Sequence, residues 1–122
     1  EEYAHAMRLY KFLIDRQCRV VLKPIIAPPV EFASVPQVFE KAYAQEQTVT
    51  SQINGLWELA FNEKQFAALV ELEWFIQEQV EEEKTASEIV HKFQLVANDP
   101  AALLDLDREL GARQADAAAK DE

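Results

Sequence analysis

A single cysteine, Cys18, stands in the 122 residues, so no disulfide can close within the chain. That usage points to a reducing compartment, the cytoplasm. Glycine and proline are also scarce, at two and five residues. So few breakers exclude a low-complexity or turn-rich chain and favour helices. Basic residues are outnumbered by acidic ones, 12 to 22, for a formal net charge of −10. Such a chain has no electrostatic footprint for nucleic acid or an anionic membrane surface; it attracts cations. No apolar run approaches the ~20 residues of a membrane-spanning helix. The length fits one domain with a single core.

What is present is helical periodicity. Four helices are predicted, at about 1–17, 35–61, 64–96 and 100–110. The stretch CRVVLKPIIAPPVEFAS between the first two carries Pro24, Pro28 and Pro29 and cannot be a helix interior. Its Val20–Leu22 and Ile25–Ile26 runs predict an extended, partly buried passage. Asn62 and Glu63 mark a short turn, which makes the two long helices antiparallel neighbours. The connection of about 17 residues before Val35 reaches up to ~55 Å when extended, whereas a helix over 35–61 is only ~40 Å long. One long crossover therefore joins the first helix to the second. Asp99 is placed to cap the last helix, Pro100 to open it and Gly111 to end it. A domain over 1–111 and a polar tail over 112–122 follow.

Acids interrupt the apolar stripes. Glu2, His5, Leu9 and Phe12 share one face of the first helix, since residues three and four apart are neighbours. The second helix reads Phe39, Ala42, Glu46, Val49, Ile53, Leu56, Ala60. The third reads Leu72, Phe75, Gln79, Glu82, Ala86, Ile89, Phe93. A lone acid on such a stripe usually sits at a helix end or reaches out to water. Three acids on three helices are different, because burying unpaired carboxylates costs several kcal/mol each. No lysine or arginine shares these stripes; Arg8 and Lys11 fall off the Glu2–His5 face. Bound cations are the economical explanation. Carboxylates with one imidazole and an amide suit iron, manganese or zinc. A structural zinc site would show cysteines, and calcium does not favour histidine. A Glu-x-x-His on one bundle helix facing glutamates from others is the di-iron carboxylate pattern.

Other candidates read more plainly. Glu1, Glu78 and Glu81 flank the stripes, where charged residues are usually just solvated. Glu88 and His91 form a second Glu-x-x-His, but His91 lies about half a turn around the axis from Glu82 and ~13 Å along it. Arg16 and Arg19 lie near Cys18, yet no catalytic partner for the thiol is readable. Trp57, Trp74 and Tyr43 are expected as core or interface aromatics. Glu71 and Glu73 suit a channel lining or a solvated face equally.

Three motifs, EEYAHAMRLYKFL, YAQEQTVTSQIN and WFIQEQVEEEK, together resemble bacterial non-haem ferritin in order and separation. The similarity spans about residues 1–110. It implies an all-α, ferritin-like four-helix bundle with one long crossover and a short C-terminal helix, assembled with its copies into a shell of 24 subunits. It implies a ferroxidase that takes Fe²⁺ to Fe³⁺ with oxygen or peroxide and mineralises the product. His5 would bind one iron, Glu2 would bridge, and Glu46 and Glu82 would hold the second, with Gln79 close by. Glu1, Glu78 and Glu81 would form a third iron site. Haem is not implied, because the haem-containing relative has methionine after the bridging glutamate, where this chain has Tyr3. That relative also has a second Glu-x-x-His at the third-helix site, where this chain runs from Glu78 to Glu82 with no histidine. Family members carry a whole helix and half of the next before the first motif, including one further glutamate ligand and a tyrosine. A fragment of a longer chain is the expectation. The alternative is a truncated, non-catalytic subunit that packs or nucleates mineral.

Overall fold

The structure is a computed structural model that describes residues 2–96 and 99–118, with the backbone alone for 113–118. It contains four helices and, among the described residues, no strand: α1 (Glu2–Asp15), α2 (Val35–Asn62), α3 (Phe66–Val96) and α4 (Pro100–Ala118). The expectation that Glu1 is already helical lies outside the described residues. The chain divides into two compact units, Glu1–Val30 and Glu31–Glu122.

The first unit holds α1 and an irregular stretch. The helix ends in a left-handed turn at Gln17, φ 58°. There the Cys18 N–H donates to the Leu13 carbonyl (2.9 Å) and the Gln17 N–H to that of Ile14 (2.8 Å). These two bonds satisfy carbonyls that the helix end would otherwise orphan. His5, Arg8, Leu9 and Phe12 are half-buried along one side, while Glu2 is exposed. Beyond Cys18 the expectation of partial burial fails. Val20 is half-buried, but Leu22, Ile25 and Ile26 are 81%, 96% and 91% exposed. The prolines prevent this stretch from joining a helix or a ladder, and its own unit offers no second element to cover it.

The second unit is an α2–α3 hairpin with α4 docked on α3. Ser34 caps α2: its hydroxyl accepts from the Gln37 N–H (3.3 Å), and the Gln37 side-chain carbonyl accepts from the Ala33 N–H (2.8 Å). This reciprocal pair is a variant of the capping box. The hairpin turn repeats the device seen after α1. Lys64 is left-handed (φ 54°), with Gln65 N–H bonded to the Ala60 carbonyl and Lys64 N–H to that of Phe61. The two helices run antiparallel, with Phe39 stacked on Phe93 at a centroid distance of 4.7 Å. Leu72, Phe75, Gln79 and Phe93 are buried on α3 and Glu82, Ala86 and Ile89 half-buried. The predicted α3 stripe is therefore the packed one.

On α2 the packed stripe differs slightly. Ala42 and Leu56 are exposed; the half-buried or buried line is Phe39, Tyr43, Glu46, Thr50, Ile53, Trp57, Ala60. This line keeps the three-four alternation and turns the bulkier Tyr43 and Trp57 inward, where their area is covered. α4 begins as predicted, Asp99 accepting from the Ala101 and Ala102 N–H groups at 2.9 and 3.3 Å. Buried Leu106 and a Lys92–Glu109 ion pair fix α4 to α3. The helix does not stop at Gly111, which has no positive φ, but continues to Ala118. The alanine-rich sequence beyond it sustains helix at low cost.

Candidate metal centre

Four of the sequence-predicted ligands appear as two pairs, one in each unit. On α1, His5 Nδ1 lies 3.8 Å from Glu2 Oε2. The three-residue spacing stacks the two side chains on one face. The imidazole side chain is 18% exposed against 83% for the carboxylate, so His5 is sheltered while Glu2 reaches outward. Arg8, expected off this face, is half-buried.

In the second unit, Glu46 of α2 meets Gln79 of α3. Gln79 is the one buried polar side chain among the described residues, at 7% exposure. Its Nε2 lies 3.2 Å from each of three oxygens: the Glu46 backbone carbonyl, Glu46 Oε2 and Thr50 Oγ1. A buried amide must be paired or it costs stability, and here it is paired several times over. Glu82 is three residues after Gln79, about 4.5 Å along the axis on the same face, and is half-buried. Glu78 is also half-buried, and Glu81 is exposed with Lys84 Nζ 3.7 Å away. Glu1 lies outside the described residues. Among the described residues no three His, Cys, Asp or Glu side chains close on one point.

A cleft of about 350 Å³ opens beside the Glu46–Gln79 contact, lined by Thr50, Ile53, Asn54, Ile76, Gln79, Val80 and Glu83. Thr50 is the residue the sequence reading passed over. Its signal was its place one turn after Glu46, on the same side of α2. The residues set aside behave as expected: His91 and Glu88 are exposed, and Cys18 is an exposed free thiol whose Sγ donates to the Arg16 carbonyl at 3.7 Å.

Chemically, the two pairs offer hard carboxylate oxygens and one borderline imidazole nitrogen. That donor set fits iron better than a soft metal. The buried amide nitrogen donates only, so it can hold a carboxylate but cannot bind a cation.

Residues 1–96 match the family described as Ferritin, Ferritin-like domain. The chain is 38% identical over 113 residues to a bacterial non-heme ferritin of Staphylococcus epidermidis, covering 93% of this chain and 68% of that one. To the bacterial non-heme ferritin of Staphylococcus aureus it is 34% identical over 116 residues, covering 95% and 70%. Among solved structures it is similar to the open pore ferritin of the hyperthermophilic archaeon Archaeoglobus fulgidus. That match has a TM-score of 0.86 at 44% identity and covers 88% of this chain and 66% of the other. A humanized archaeal ferritin matches with a TM-score of 0.87 at 43% identity. The chain thus spans about two thirds of the length of these relatives.

Proposed function

The chain belongs to the ferritin family, of all-α, ferritin-like fold, and on that premise we propose that it stores iron by oxidising Fe²⁺ at a di-iron carboxylate centre. Family membership supports iron storage as the general role. The observation that carries the finer reading is Glu46, held on the packed face of α2 by a buried amide where an apolar side chain would be the default. Glu82 continues that acidic line on α3.

In this reading Glu2 bridges two iron ions, His5 completes one, and Glu46 and Glu82 bind the other beside Gln79. Glu1, Glu78 and Glu81 serve a third iron. Iron is the substrate: each Fe²⁺ gives up one electron, and oxygen or a peroxide accepts them. Carboxylates favour this step because a full negative charge stabilises Fe³⁺ more than Fe²⁺. The net charge of −10 draws cations towards the protein. The product mineralises inside a homo-oligomeric shell of 24 subunits in the cytoplasm. No haem, nucleic acid or membrane takes part.

Stopped-flow measurement of Fe²⁺ oxidation tests the reading, with the chain compared to Glu82→Ala and Glu78→Ala. Loss of a direct ligand should slow oxidation by at least ~10-fold for Glu82→Ala, with a smaller effect for Glu78→Ala on the flank. Equal, slow rates in all three would favour a non-catalytic subunit that packs or nucleates mineral.

A further inference from the structure

We propose that Thr50 orients the Gln79 amide and, through it, the Glu46 carboxylate, so that Thr50 and Gln79 are positioning residues of the iron site. This rests on the reading of Glu46 as an iron ligand. Around Gln79 Nε2 stand three oxygens at 3.2 Å. Two of them, the Glu46 carbonyl and its carboxylate, accept only. The NH₂ end of the amide must therefore face them, because Oε1 in its place would meet lone pairs. Two N–H groups serve three acceptors, so one hydrogen is shared. Oε1 is the only side-chain atom of Gln79 able to ligate a cation.

Of the three acceptors, Thr50 is the stiff side chain. Its β-branch restricts χ1, whereas the Glu46 carboxylate swings on three torsions. Glu46 and Thr50 are one turn apart on α2 and present their oxygens on the same face. The backbone carbonyl of Glu46 and the hydroxyl of Thr50 thus locate the amide nitrogen against the helix, and the remaining N–H capacity holds Oε2. A carboxylate fixed in this way meets a cation without first being ordered, which is how outer partners raise metal affinity. Thr50 also lines the cleft beside this contact, as Gln79 does.

The test uses Thr50→Val, which keeps the shape and removes the acceptor, and Thr50→Ser, which keeps the acceptor. Each is made in the full chain and again with Gln79→Leu. Anaerobic calorimetry with Fe²⁺ should show Thr50→Val binding about 10-fold more weakly, the size expected for an outer partner, and Thr50→Ser close to the parent. In the Gln79→Leu background Thr50→Val should make no further difference. A crystal structure of metal-free Thr50→Val should show the Gln79 amide withdrawn from Glu46 Oε2. An undiminished effect of Thr50→Val without Gln79 would overturn the proposal, since Thr50 would then act by packing alone. An unchanged Gln79–Glu46 contact in Thr50→Val would overturn it as well. A parent chain that binds no Fe²⁺ refutes the iron reading, while the metal-free structure still decides whether Thr50 orients the amide.

Discussion

At the scale of single residues, the α2–α3 hairpin carries an aromatic pair at one end and a polar contact near its middle. Phe93 is 3% exposed and stacks on Phe39. Replacing it with alanine removes the stacking and leaves a cavity, at a cost of about 3–5 kcal/mol. Urea unfolding should show this as a lower midpoint at unchanged slope; a shift worth under ~1 kcal/mol would mean that the hairpin repacks freely. Glu46 was legible from its place in the stripe, and Gln79 from its line with Phe75 and Glu82. Thr50 was not. A threonine on a helix reads as an ordinary half-exposed residue until the opposite helix supplies an amide 3.2 Å from its hydroxyl.

At the scale of elements, two helix ends use a non-glycine residue in the left-handed region, Gln17 and Lys64. A side chain there meets its own carbonyl, a strain of about 1 kcal/mol that glycine lacks. Lys64→Gly should therefore stabilise the second unit by somewhat under that amount, seen as a raised thermal midpoint. A lowered midpoint would show that the extra chain entropy of glycine outweighs the relief of strain. Asp99→Ala removes the acceptor for two N–H groups at the start of α4 and should cost about 1 kcal/mol. Hydrogen exchange of the Ala101 and Ala102 amides is the local check, and both should become faster. The start of α4 was visible in Asp99 and Pro100, whereas the Ser34 cap of α2 emerges only from its contact with Gln37. The end of α4 was not, because Gly111 breaks a helix only where the backbone takes a positive φ, and here it does not.

For the whole molecule, iron should stabilise the chain that binds it. The folded state would hold Fe²⁺ and the unfolded chain would do so poorly, so a 100-fold excess over the dissociation constant adds about 2.7 kcal/mol. Anaerobic thermal scans with and without Fe²⁺ should show the rise in the parent and its loss in Glu82→Ala. Assembly into a homo-oligomer makes a second expectation at this scale. Ile25 and Ile26, more than nine-tenths exposed, would be covered by another copy. Changing both to lysine should lower the sedimenting mass, because burying two charges at an interface is costly. An unchanged mass would place the subunit contacts elsewhere.

The sequence by itself determined the helices and the place of Glu46 and Glu82 on their packed faces, whereas Glu2, expected on a buried stripe, is exposed. Periodicity and donor chemistry are local properties, legible along one strand of text. On α2 the packed line has Tyr43 and Trp57 in place of the exposed Ala42 and Leu56, and Thr50 beside the half-buried Val49. Adjacent positions differ by 100° around the axis, and only the neighbouring helix decides which of two near-equivalent faces is covered. The same holds for the contact between Glu46, Gln79 and Thr50. It depends on the rotation and axial offset of α2 against α3, which the stacking of Phe39 on Phe93 and the turn at Lys64 set together. Tertiary packing alone could choose that register, since hydrogen-bond partners across helices are fixed by ångströms of offset that no single helix encodes.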